Sequence, residues 1–171
     1  DVFGSLITTQ NSDKLSPRIN MDVDTSTRLE DLNYGKGVKP GTIRIIYQDD
    51  VLPATPPAEI DIDIRGVDTL EDLADLINRE TNGNITLQSN STSTGLVLTN
   101  TLNPAWSIEV QEVAHNTTAQ DLGIKGTGVG SISGLDLNPA LTEHTLLSDI
   151  PGYFGSSFTI ANGSESRLLP T

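Results

Sequence analysis

Two periodicities stand back to back between residues 59 and 80, and they limit what the rest of the chain can build. Glu59-Ile60-Asp61-Ile62-Asp63-Ile64 alternates strictly, so a strand puts the three isoleucines on one face and the three acids on the other. From Thr69 to Glu80 the spacing turns helical, with Leu70, Leu73, Ala74 and Ile77 on one stripe and Glu71, Asp72, Asp75, Asn78 and Arg79 on the opposite side. Thr69 is the expected N-cap, with Asp72 three residues on as a weak capping box. Acids early and Arg79 late suit the helix dipole, and Asn82-Gly83 stops the run. A half-buried strand and a one-sided helix each need an apolar partner, which requires a layered domain.

Short strand segments supply that partner. Thr42 to Tyr47 is expected before the alternating run, joined to it by an exposed, proline-bearing loop from Gln48 to Ala58. Ile85–Ser89, Gly95–Asn100 and Ser107–Val113 follow the helix, separated by turns at 90–94 and 102–104 and read as a meander. Capping-box chemistry at Thr27-Arg28-Leu29-Glu30 predicts a helical turn leading into Asp31-Leu32, and a second turn spans Thr118 to Leu122, ending at Gly123. The expected fold class is α+β: an antiparallel sheet packed against one main amphipathic helix, with a partial second repeat at the C-terminus. Leu70, Leu73, Ala74 and Ile77 are expected to bury against Ile43, Ile45, Ile62, Leu96 and Leu98.

Charge and composition narrow the function. Across 171 residues, 10 basic against 23 acidic side chains leave a formal net charge of -13. Nucleic-acid backbones and anionic lipid both demand clustered Lys and Arg, so neither is an expected partner. Apolar runs of two or three residues span no bilayer, so no membrane insertion is expected. With no cysteine, disulfides, thiolate metal sites and cysteine nucleophiles are all excluded. Asp1-Val2-Phe3-Gly4-Ser5 lacks the basic and apolar regions of a secretion signal, and the chain is read as cut from something longer.

A repeat joins the two ends. Residues 19–32 lie on 137–150 at a constant offset of 118, which matches Asn20, Thr27, Leu29 and Asp31 with Asn138, Thr145, Leu147 and Asp149. Ile19, Val23 and Leu32 then meet Leu137, Leu141 and Ile150. After a three-residue deletion, Thr42-Ile43-Arg44-Ile45 continues onto Ser157-Phe158-Thr159-Ile160. The expected organisation is 1–18 as the possible end of a preceding unit, 19–128 as the α+β domain, and 129–171 as linker and start of a second, truncated repeat. Tandem units of this length build extended surface structures.

These residues resemble the flagellin hook IN motif, the repeat of bacterial flagellins and flagellar hook-associated proteins, named for an Ile-Asn pair ending its helix, here Ile77-Asn78. The likeness covers roughly 27–125. It is carried by Thr27-Arg28-Leu29-Glu30-Asp31-Leu32-Asn33, Gly35-Lys36-Gly37-Val38, Gly41-Thr42-Ile43-Arg44-Ile45, Asp68-Thr69-Leu70-Glu71-Asp72-Leu73, Thr94-Gly95-Leu96-Val97-Leu98-Thr99 and Ala119-Gln120-Asp121-Leu122-Gly123-Ile124. The chain departs from flagellins in lacking long terminal heptad helices. The resemblance implies an extracellular, surface-exposed structural module of the bacterial flagellum, contributing to filament or hook-junction structure. Its partners would be other flagellar subunits or copies of itself.

No catalytic, cofactor-binding or metal residues are assigned, and no enzyme activity, cofactor or small-molecule ligand is expected. Asp61 and Asp63 could be paired carboxylates of a glycosidase or calcium ligands; they are read as a solvated strand face, neither they nor Asp22 and Asp24 have EF-hand spacing, and Asp49-Asp50 is read as loop solvation. Gly126-Thr127-Gly128-Val129-Gly130 has no following helix and Gly35-Lys36 no upstream glycine, so both are read as linker or turn. His115 and His144 sit in turns, unpaired in sequence. No serine has a nucleophile elbow. Trp106 is expected to plug one end of the core rather than stack on a sugar. Sequons occur at Asn84, Asn90, Asn116 and Asn162, and the Ser/Thr cluster 89–94 is a candidate for O-linked sugar. The alternative function is an adhesin-type extracellular module binding carbohydrate or protein, possible calcium dependence included.

Overall fold

The computed structural model describes residues 21–48, 56–142, 157–162 and 165–170. Two antiparallel sheets and one long helix enclose the core, an α+β architecture as expected. Sheet one has the order β2-β1-β5-β6, from β1 (Thr42–Tyr47), β2 (Ala58–Asp63), β5 (Ser107–Glu112) and β6 (Gly126–Val129). Sheet two runs β3-β4-β7, from β3 (Ile85–Ser89), β4 (Leu96–Asn100) and β7 (Ser131–Ser133). Among the described residues three helical pieces accompany them: α1 (Leu32–Gly35), α2 (Leu70–Glu80) and α3 (Thr118–Asp121). β8 (Ser157–Asn162) and β9 (Glu165–Pro170) form a separate antiparallel hairpin.

α2 forms where the period demanded it. The Thr69 side chain accepts from Asp72 N, and the Asp72 carboxylate accepts from Thr69 N at 3.1 Å, so the capping box is complete. Leu70, Leu73 and Ile77 are buried, with Ala74 half-buried beside them. The helix rests on β3 and β2, the outer strands of the two sheets. It thereby covers apolar surface at the open side of the fold, while β6 and β7 join the sheets on the other side. At that corner Gly130 has φ +71°, and a Cβ there would collide with the Pro104 carbonyl. Ile43, Ile45, Ile62, Leu96 and Leu98 are all at or below 1% exposure in the same cluster, as expected.

Three local expectations need correction. Ser107–Glu112 does not continue a meander with β4; β5 crosses to sheet one and pairs with β1, with Ile45 opposite Val110 and Tyr47 opposite Ile108. Both partners are apolar on the inward face, and that long-range match overrides the short connection through 101–106. The turn or linker expected at 126–130 is instead β6, followed by β7, and the packed chain continues past residue 128 to Leu137, which is 1% exposed. Thr27 does not open a capping box with Glu30. Asp24 N donates to Thr27 Oγ1 at 3.0 Å while Thr27 N donates to Asp24 Oδ1 at 3.0 Å, so the reciprocal pair lies one turn earlier. The chain reaches α1 only at Leu32, and Asn33 and Tyr34 within it are left-handed, at φ 56° and 62°.

Of the repeat, residues 19–20 and 143–150 lie outside the described residues, as do residues 1–18 and the Asp49-Asp50 part of the 48–58 loop. Ser157-Phe158-Thr159-Ile160, the segment matched to the start of β1, is strand in β8 and is paired antiparallel with the next strand, as β1 is.

Candidate functional site

The outward face of sheet one collects the charges that alternation placed there. Antiparallel register sets Arg44 directly opposite Asp61. Its guanidinium donates twice, Nε to Oδ1 at 2.6 Å and Nη2 to Oδ2 at 2.8 Å, and its Nη1 lies 3.7 Å from Glu59. Arg65 clamps Asp63 in the same bidentate way, with Nη2 to Oδ2 at 2.6 Å. Hydrogen bonds from these arginines hold the Asp61 and Asp63 carboxyls below the usual carboxylate range. Both are therefore ionised together. General acid–base work on a glycoside needs one carboxyl raised and the other lowered, and this pair has no such split.

Asp24 is likewise occupied by its own turn, accepting from Ser26 N and Thr27 N. Among the described residues no group of three or more His, Asp or Glu is placed to hold a metal ion. His115 is exposed, and His144 lies outside the described residues. A shallow cleft of about 150 Å³ opens over Leu29, Val38, Ile64 and Val67, rimmed by Arg28 and Asp68. Small-molecule sites usually enclose roughly 300 Å³ or more, so this one suits a single side chain.

Several singled-out residues turn out to shape loops. Trp106 is half-buried and outside the buried cluster, so it does not plug the core as expected; its backbone carbonyl instead receives Gly130 N at 2.7 Å at the β6–β7 corner. Gly126–Gly130 is strand and corner, and Gly35-Lys36 closes α1. The sequon asparagines Asn84, Asn90 and Asn116 are half-buried. Asn90 Oδ1 organises the β3–β4 turn by accepting from Thr92 N and Thr94 N, and Asn84 Nδ2 reaches the Tyr47 hydroxyl at 3.4 Å. Asn116 closes on Gly41, where a Cβ would strike its side chain. Asn162 ends β8, and Ser91 and Thr92 stand exposed at the turn tip.

Sequence reasoning missed the segment after β7, which crosses three loops as a strap. Gly134 N donates to Leu96 O, Leu135 N to Gly123 O, Leu137 N to Thr94 O and Ala140 N to Asp31 O, at 2.7 to 3.0 Å. In return Asn33 N donates to Leu137 O at 2.6 Å and Tyr34 N to Asn138 O at 2.8 Å. The left-handed backbone at Asn33 and Tyr34 turns these two successive N–H groups toward one strand of chain. Asparagine tolerates that region, but tyrosine there costs on the order of 1–3 kcal/mol. Asn33 is braced by its own side chain, which donates to Asp121 O at 2.8 Å. The segment is anchored by Leu137 and the buried Pro139. The alternation of buried Leu137 and Pro139 with Asp136 and Asn138 was the available signal, masked by its proline and glycine surroundings.

The described residues contain no helix long and apolar enough to cross a membrane. Comparison with protein families, with curated proteins and with solved structures finds no match to this chain.

Proposed function

We propose that the chain is a non-enzymatic structural module: a surface-exposed repeat domain of a bacterial flagellar hook-associated or flagellin-like protein, contributing to filament or hook-junction structure. The observation that carries this reading is the order and spacing of the motifs on one α+β unit, from Thr27–Val38 through the Ile77-Asn78 helix end to Ala119–Ile124. The way the acidic surface is built supports it. Carboxylates on the sheet face are tied to arginines on neighbouring or adjacent positions, which makes a fixed, charged exterior that keeps arrayed subunits soluble. Partners on this reading are other flagellar subunits or copies of the chain.

Shearing flagella from cells that make the protein and identifying peptides in the sedimented filaments tests the proposal. Peptides of this chain enriched with the filaments are the expected result. Their recovery only with the cell envelope would end the flagellar reading and favour an adhesin-type module.

A further inference from the structure

We infer that the chain meets further copies of itself head to tail: the loop corner at the start of β5, carrying Leu102 and Val129, seats in the cleft over Leu29, Val38, Ile64 and Val67 of the next copy. The inference deepens the structural reading by naming the contact between copies, and it rests on that reading for their being arrayed at all.

The two surfaces stand at opposite ends of sheet one. Val38 and Pro40 lead into β1 at Thr42, and Ile64 and Val67 follow β2 at Asp63, the partner of Thr42 in register. The cleft therefore lies where β1 begins. At the other end of β1, about 17 Å along a six-residue strand, Tyr47 pairs with Ile108 beside the start of β5. There Asn100 N donates to Gly130 O at 2.8 Å and Gly130 N to Trp106 O at 2.7 Å, which joins the 101–106 loop to the β6–β7 corner. Leu102 is 46% exposed and Val129 71%, and Pro104 and Ala105 are exposed on the same loop.

Leu102 is held out by the fold. Its N–H donates at 3.0 Å to Asn100 Oδ1, and the buried Asn100 in turn donates to Gln48 O, while Thr101 Oγ1 donates to Gly83 O at 2.9 Å. An apolar side chain on a loop already pinned loses little further freedom on docking. The cleft answers it with an apolar floor that takes one side chain, fixed by Leu29 N to Asp68 O and Val38 N to Leu29 O at 2.9 and 3.1 Å. Charge points to a second copy as the occupant. No Asp, Glu, Lys or Arg occurs from 81 to 108 or from 126 to 135, so the loop and its corner are neutral in a chain of net charge -13. Copies repel through the face that carries Glu59, Asp61, Asp63 and Glu109, and approach without that repulsion through this end. Because the two surfaces differ, the contact is head-to-tail and passes from copy to copy, as an array requires.

Disulfide trapping on the full chain tests the contact, since with no native cysteine every bridge reports the positions introduced. Chains carrying Leu102→Cys, which keeps a small apolar side chain, and chains carrying Asp68→Cys, at the exposed cleft rim, are mixed at equal concentration and oxidised. Linked peptides are then counted by mass spectrometry. The 102–68 link is expected to exceed both same-position links by about tenfold or more, because thiols held together react at the effective concentration of the contact. Adding Val129→Asp to the Leu102→Cys chain should cut that link by about tenfold, since it brings a carboxylate against the apolar floor. Three links in the proportions of random collision, or an excess of 68–68 links, would overturn the contact. So would equal linking of Leu102→Cys to an Asp75→Cys chain, altered on the exposed side of α2. A failed link removes the contact and leaves the filament location standing, whereas absence from sheared filaments removes the location and leaves the link standing, so the two failures are told apart.

Discussion

Leu137→Ala is the most informative perturbation of the fold, because it strikes a residue that lies beyond β7, outside both sheets, yet inside the core. The side chain is 1% exposed and belongs to the same apolar cluster as Leu32 and Leu96. Truncating a fully enclosed leucine removes its transfer free energy and leaves a cavity, together about 3–5 kcal/mol where the walls cannot collapse. Here one wall is the strap itself, which can settle toward the gap, so the lower end, about 3 kcal/mol, is expected. At an m-value of about 2 kcal/mol/M this moves the urea midpoint down by about 1.5 M. Leu141→Ala, four residues on and 59% exposed, is the control and should change stability by no more than about 0.5 kcal/mol. The assay is urea unfolding followed by far-ultraviolet circular dichroism on both variants and the parent. Equal midpoints for the two variants would refute the placement of the strap in the core.

Three further outcomes follow from particular contacts. Thr69→Ala removes the side chain that accepts from Asp72 N, and should lower stability by about 1 kcal/mol, measured by thermal or urea unfolding. Gly130→Ala places a Cβ against the Pro104 carbonyl at φ +71°, and should cost about 2 kcal/mol or more, with the β6–β7 corner losing amide protection first. Asp61, Asp63 and Asp72 have folded-state carboxyls held below their ordinary range, by Arg44, Arg65 and Thr69 respectively. A depressed pKa stabilises the fold above the unfolded value of about 4 and is lost as pH falls through the folded one, so these groups leave stability level from pH 8 to 5 and weaken it only below about 4. Carbon-detected NMR titration should show the Asp61 carboxyl returning toward about 4 in Arg44→Gln.

Local pattern made α2 and the first hairpin readable, because their information lies within a few residues. The stripe Leu70, Leu73, Ile77 and the alternation Ile60, Ile62, Ile64 each define a face without reference to the remainder of the chain. What escaped was non-local or ambiguous at close range. β5 could have paired with β4 across a short turn, and only the inward match of Val110 and Ile108 with Ile45 and Tyr47 sends it to sheet one. β6 and β7 are short, and β6 is half glycine, with Gly128 required because its backbone passes against Ser131, where a Cβ would collide. The 24–27 and 27–30 pairs have equal spacing, so sequence alone left the register of the capping box open, and the shorter carboxylate at Asp24 took it.

The charged face was half legible. Alternation placed Asp61 and Asp63 outside, but the arginines that hold them could not be assigned. Arg44 reaches Asp61 only because the β1–β2 register that pairs Ile43 with Ile62 also sets them opposite, and Arg65 bends back onto Asp63 two residues before it. Buried polar anchors were also invisible. Asn100 is 2% exposed, and its side chain donates to Gln48 O while accepting from Leu102 N. Nothing near it in sequence separates such an asparagine from the many that line turns. Thr81 is similar, donating to Ile77 O and accepting from Ile85 N to tie α2 to β3.

The place proposed for this unit is the bacterial flagellum, where it would act as structure. Immunogold electron microscopy of intact cells, with an antibody raised against the folded unit, tests it most directly. Gold along the filament or at the hook junction is the predicted result, and its position identifies the component. Gold scattered over the cell envelope beside bare flagella would contradict the claim.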